Sequence, residues 1–327
     1  MKGILKKILS ITLITILTLC AGLSYQGESS YAAESNSSGI SAKYRTKSEV
    51  KKKLASVWNL DYDAKYDKAP SLTSPYSAGR LSDESEANTL KFLNAIRYIA
   101  GIRGSVKLND DYSELAQAAS LVNAVNDELS HSPAKPTGMS SSLYENAKKG
   151  ASKSNLAMGV TNLKDEMLMY LDDSGVDTLG HRRWLLYPML KEVGFGMAGE
   201  YSAAYVINNF STKNAKKYSG IVWPAQNMPL ELWDDDNAWS ISFGKKLTKS
   251  KIKVTVKKNN GEKTWSFSSK KSEGMFSVSN DNYGQPGCVI FKPKDISYQD
   301  GDVFRVTVKN GKNTIAKYTV NFFYALS

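Results

Sequence analysis

The hydrophobic periodicity of this 327-residue chain changes once. Up to about residue 187 apolar side chains recur at spacings of three and four. From Val193 onward they alternate. A chain whose helix-period segments precede its strand-period segments builds segregated blocks, so the expected class is α+β. The first block reads as helices with stripes at Val50, Leu54, Val57 and Trp58, capped by Ser48; at Leu90, Leu93, Ile96 and Ala100; and at Leu163, Met167 and Tyr170. A longer helix, from Asp111 to about Ser130, carries Leu115, Ala118, Ala119, Val122, Asn126 and Leu129 on one narrow stripe, and its alanines allow close approach of a neighbouring element. Residues 136–159, rich in Gly, Ser and Lys, read as a connection. In Gly180-His181-Arg182-Arg183-Trp184-Leu185 a helical reading puts His181 with Trp184 and Leu185 and turns both arginines away.

The alternating segments begin with Val193–Met197 and Ala203–Ile207 around a turn at Gly199. Residues 224–237, with Trp223-Pro224, Met228-Pro229 and Asp234-Asp235-Asp236, break all periodicity and are expected to be a linker. Beyond them only strands are signalled, including a hairpin turned at Asn259-Asn260-Gly261, at spacings suited to a small β-sandwich. The expected division is a signal peptide (1–32), a tether and short helix (33–80), a helix-and-strand domain (81–223), the linker (224–237) and a β-sandwich-like domain (238–327).

The signal peptide rests on three lysines before Ile8, an uncharged run to Leu23 shorter than the roughly 20 residues of a membrane span, and small residues near Ala32. A secreted, extracellular or envelope-associated protein is expected, with no transmembrane segment after processing. Loss of residues 1–32 removes Cys20 and leaves Cys288 as the sole thiol, which its apolar neighbours Val289-Ile290-Phe291 suggest is buried. Stability must then come from the core, since no internal disulfide can form. The net charge of +11 falls to +9, because Lys2, Lys6 and Lys7 leave with Glu28. Scattered lysines without interleaved aromatics argue against nucleic acid and suit at most an anionic envelope polymer or lipid surface. A monomer is expected.

The chain holds only two histidines, His131 and His181, so any imidazole chemistry belongs to them. Two imidazoles with one or two carboxylates suit zinc or another first-row divalent cation. The same groups with Ser130, Ser132 or Ser154 as nucleophile would make a hydrolase, which geometry must decide. Partly buried histidines bonded to backbone are the plainer alternative.

The ordered elements Leu93-Asn94-Ala95-Ile96-Arg97, Ala116-Gln117-Ala118-Ala119, Leu129-Ser130-His131, Asn155-Leu156-Ala157, Gly180-His181-Arg182-Arg183-Trp184 and Gly194-Phe195-Gly196 resemble the CAP superfamily of cysteine-rich secretory, antigen 5 and pathogenesis-related-1 proteins, in its bacterial secreted form. The resemblance covers roughly residues 80 to 210. It implies an α-β-α sandwich with a cleft where two histidines and two acidic residues can hold a divalent ion. His131 and His181 match the histidine positions. Ser154 stands where the family's glutamate is expected, with Glu145 as the rival match. Asp173 fits the second acidic position better than Asp172, and Glu166 is a further candidate. The implied function is binding at or outside the cell surface, with a secreted hydrolase or a lipid or sterol binder as alternatives.

Overall fold

The computed structural model describes residues 37–160, 162–208, 217–259 and 262–327. The expected signal peptide and the Asn260-Gly261 part of the hairpin turn lie outside these residues.

Among the described residues six α-helices form: α1 (Lys47–Trp58), α2 (Asp83–Ile99), α3 (Asp110–Asn126), α4 (Ser141–Ala151), α5 (Leu163–Asp172) and α6 (Gly180–Leu185). Most are capped as their sequences allow. Thr46, rather than Ser48, caps α1: its hydroxyl accepts the Glu49 N–H at 3.2 Å while Glu49 accepts the Thr46 N–H at 2.8 Å. Ser82, Asn109, Ser140 and Asn162 cap the next four.

Two short strands, β1 (Tyr66–Lys68) and β2 (Arg80–Leu81), pair with each other. A four-stranded sheet is ordered β3-β5-β6-β4 and consists of β3 (Lys107–Leu108), β4 (Ser154–Met158), β5 (Glu192–Ala198) and β6 (Tyr201–Tyr205). The β5–β6 hairpin turns at Gly199 as the alternation predicts. Side chains alternate between the two faces of a strand, and the helices divide accordingly. Leu156, Ala203 and Tyr205 pack with Leu115, Ala116 and Ala119 of α3. Ala157, Phe195, Met197 and Ala204 instead join the large core that holds Phe92 and Leu93 of α2 and Met167 and Tyr170 of α5.

The α3 stripe of small residues meets equally small residues in the sheet. A Cβ added at Gly194 or Gly196 would fall on the backbone of Ser113 or Gln117, so the helix lies against bare strand. Replacing Gly196 by alanine is expected to push α3 off the sheet and cost about 2–3 kcal/mol, as overpacked sites do. Chemical denaturation checks this, and a cost under 0.5 kcal/mol would show that the helix can shift freely.

Nine further strands form two facing sheets. One is ordered β11-β10-β14-β15-β8, with β8 (Asn227–Pro229), β10 (Ile252–Lys258), β11 (Lys263–Ser268), β14 (Val303–Asn310) and β15 (Asn313–Phe323). The other is ordered β12-β13-β9-β7, with β7 (Ile221–Trp223), β9 (Trp239–Ser242), β12 (Gly274–Ser279) and β13 (Cys288–Pro293). Trp239 sits between them, unexposed, with its ring 5.5–6.0 Å from those of Phe291, Phe304 and Phe322. Cys288 is fully buried, as its neighbours suggested.

Several expectations are corrected. Helix α3 ends at Asn126, before Ser130, because Asp127 takes a left-handed conformation (φ 49°); Leu129 is consequently exposed. The Gly/Ser/Lys-rich connection contains α4 and β4. Residues 224–237 are no linker: β8 pairs in parallel with β15, β7 just before it pairs with β9, and Trp233 packs on Trp239. One continuous buried cluster runs from Val50 to Ala325, so the helical block and the sandwich share a core.

The arginines of α6 do not turn to solvent. Arg182 is 0% and Arg183 4% exposed, and both reach into the seam with the sandwich. Arg182 donates to the Leu171, Asp172 and Ala238 carbonyls; Arg183 donates to the Thr178, Asp281 and Gln285 carbonyls and to Ser279. A guanidinium carries five donors in a fixed fork, which suits the convergence of loop carbonyls left over by strand and helix ends.

Candidate functional site

The two histidines arrive from different elements; the His131 ring bonds to the end of α4 and the His181 backbone to β4. After α3 the Ser130 N–H donates to Asn123 Oδ1 at 2.9 Å, which folds the chain back along the helix end. His131, exposed, then sets its Nδ1 2.8 Å from the carbonyl oxygen of Ala151, the last residue of α4. His181 lies in the first turn of α6. Its carbonyl accepts from Asn155 Nδ2 at 3.0 Å, and the Asn155 carbonyl accepts the Tyr170 hydroxyl at 3.0 Å. The Tyr170 ring lies 5.4 Å from the imidazole. The two anchors, residues 151 and 155, flank Ser154 on one short stretch of chain.

Asp173 ends α5 in a left-handed conformation (φ 52°). That turn swings its carboxylate toward α6, where Oδ2 accepts the Arg182 N–H at 3.2 Å and Oδ1 lies 2.8 Å from His181 Nδ1. The aspartate side chain is wholly buried, whereas the imidazole keeps 28% of its surface exposed. Arg182 braces the arrangement from behind through the Leu171 and Asp172 carbonyls.

These partners decide the tautomers. A carbonyl oxygen and a carboxylate can only accept, so each Nδ1 carries the proton and each neutral ring has its lone pair on Nε2. A histidine that donates from one nitrogen to a carboxylate or carbonyl is oriented to use the other as a ligand or base.

The four proposed ligands are not brought together. Among the described residues no three of His, Cys, Asp and Glu stand close enough to hold an ion. Glu145 is exposed on α4, and Asp173 serves the far side of the His181 ring. Glu166 is fully buried beneath the site, and neither carboxyl oxygen makes a hydrogen bond of ordinary geometry. Burial pushes its pKa up to about 8, with the nearby Tyr170 and Ser202 hydroxyls opposing the rise. Ser154 has a buried Oγ without a hydrogen-bond partner, so no hydroxyl of that residue is engaged by a histidine.

Sequence reasoning found both histidines and Asp173, but not the Ala151 carbonyl, the Asn155 tie or the inward arginines. The first two are contacts between residues 20 and 26 positions apart, which no local pattern displays. The chain gives no significant match to any family model, curated protein or solved structure.

Proposed function

We propose that this chain is a secreted CAP-type binding protein, an α-β-α sandwich joined to a β-sandwich, whose two histidines hold a divalent ion such as zinc through their Nε2 atoms. The observation that carries the reading is the pair of 2.8 Å contacts at Nδ1, one to Asp173 and one to Ala151, which leaves both Nε2 lone pairs for a ligand. Helices on both faces of the β3-β5-β6-β4 sheet support the fold assignment, and the order of motifs supports the family.

His131 and His181 supply nitrogen donors suited to zinc, and Asp173 orients His181 from outside the coordination shell. An ion held by two protein nitrogens needs water or a bound ligand for its remaining positions. Affinity is therefore weak, and the ion is open to an exogenous donor. Bound there, it would supply Lewis acidity and a fixed positive charge. The basic character of the chain supports an anionic envelope polymer or lipid surface as its partner.

A zinc titration by calorimetry tests this. His131→Ala and His181→Ala are each expected to abolish saturable binding, Asp173→Asn to weaken it about 10- to 100-fold, and Glu145→Gln to leave it unchanged. Binding should fade with falling pH, because protons compete with the ion for Nε2. Unaltered binding in both histidine variants would overturn the proposal.

The His181–Asp173 pair favours one second reading, a hydrolase in which His181 Nε2 is a general base. Hydrolysis of an ester probe that is lost in His181→Ala but indifferent to chelators would select it.

A further inference from the structure

The first turns of α2 and α3 meet the β1–β2 pair around a cleft of about 370 Å³ that neither histidine lines. That volume lies in the range of small-molecule sites. The surroundings are acidic on a chain whose overall charge is +11: Asp83, Glu84 and Glu86 open α2, and Asp110 and Asp111 open α3. Most of these complement helix dipoles at exposed N-termini and need no further account.

Glu86 is different. It is only 4% exposed, it lines the cleft, and its Oε1 is buried without a hydrogen-bond partner. The hydroxyl of Ser113, also on the cleft wall, is likewise buried and lies close enough to Glu86 to favour its charge, though the two make no hydrogen bond of ordinary geometry. Burial raises the Glu86 pKa, with Ser113 and Arg80 opposing and Asp110 and Asp83 adding to the rise. A buried carboxyl with only a poorly aligned hydroxyl beside it carries a standing cost that a cationic ligand would relieve.

We propose that this cleft binds a primary ammonium group carried on an alkyl stem, the chemistry of a lysine side chain. Leu81, Ala118 and Phe195, each almost fully buried, give the stem an apolar wall, and Asp110 and Glu114 stand exposed beside the cleft. Of the two cations that share the cleft, Arg80 offsets part of this field at Glu86. Arg80 is engaged by Asp83 at 2.6 Å and by Asp67 at 4.0 Å, and Lys68 is exposed. A metal ion suits the cleft less well, since among the described residues no three acidic groups converge closely enough to enclose one. The ammonium form also matches the geometry, because a compact charge with three donors can reach a carboxylate and a hydroxyl at once.

The test is calorimetric titration of the full chain with n-pentylammonium chloride, with 1-pentanol as the uncharged control of the same length. The expected result is saturable binding of the ammonium, at least 20 times weaker for the alcohol. Glu86→Gln should weaken ammonium binding at least tenfold while leaving the melting temperature equal or higher, because an amide of the same size needs no ionisation. Asp110→Asn combined with Glu114→Gln should weaken it several-fold and reduce its salt dependence. His181→Ala should leave it unchanged, which separates this cleft from the histidine site. Absence of saturable binding by the unsubstituted protein, equal binding of pentanol, or full binding by Glu86→Gln would each overturn the proposal. If Glu86→Gln fails to fold, full binding by the Asp110/Glu114 pair variant would do the same.

Discussion

Arg182→Ala is expected to lower the stability of the protein by about 4 kcal/mol, read from urea denaturation at pH 7. The guanidinium is entirely buried and donates to the Leu171 and Ala238 carbonyls at 2.5 Å and to the Asp172 carbonyl at 2.7 Å. Burial lowers its pKa to about 10, so it remains charged at neutral pH. Truncation would strand the buried Leu171 and Ala238 carbonyl oxygens and the part-buried one of Asp172, a buried oxygen costing about 1–3 kcal/mol when unsatisfied, and open a void between α5 and β9. Arg182→Lys should recover less than half of the loss, because one ammonium on a flexible stem cannot span three directions as the planar fork does. The helical block and the sandwich share one core, so the variant is expected to unfold in a single transition at lower urea rather than in two. A loss below 1 kcal/mol would mean that water replaces the guanidinium, and two separated transitions would mean that the two parts are stable independently.

Glu166→Gln is expected to stabilise the protein at alkaline pH and to leave it nearly unchanged at pH 5. The carboxyl is wholly buried and its pKa stands at about 8, against 4.5 for an unperturbed glutamate. Between those values the folded protein keeps a proton that the unfolded chain releases, so this group's contribution to stability falls as pH rises from about 4.5 to 8 and is constant outside that window. The full fall amounts to about 5 kcal/mol at 1.36 kcal/mol per unit. A glutamine fills the same space and does not titrate. The difference in unfolding free energy between the two proteins should therefore be near zero at pH 5 and reach a few kcal/mol in favour of the variant by pH 8.5. Groups that titrate alike in both proteins cancel in that difference. A pH-independent difference would show that Glu166 is ionised in the folded state.

Much of the helical half is legible without coordinates, because the burial of one helix face is written locally. Val50, Leu54 and Val57, or Leu163, Met167 and Tyr170, follow the helical repeat and are buried in the core. The β5–β6 hairpin is legible for the same reason at a period of two. Errors fall where burial does not repeat. Helix α4 buries only Ala147, Gly150 and Ala151, small residues that do not read as an apolar stripe. Strand β8 is three residues long and pairs with a strand some 90 positions later, so nothing nearby announces it.

The candidate site divides in the same way. Sequence alone determined that any imidazole chemistry belongs to His131 and His181, because there are no others, and that the helix-period segments precede the strands of the sandwich, although β1 to β4 lie among the helices. Only the tertiary structure decided that Asp173 orients a histidine instead of standing free, since its left-handed backbone at the end of α5 aims the carboxylate and no residue type fixes that angle uniquely. Only the tertiary structure decided the fate of Arg182 and Arg183. Charge argues for solvent, but the unpaired carbonyls at the seam between helices and sandwich required donors, and satisfying them outweighed the hydration of two cations. Periodicity reports which side chains avoid water within one element; it carries no information about polar groups left over where separate elements meet.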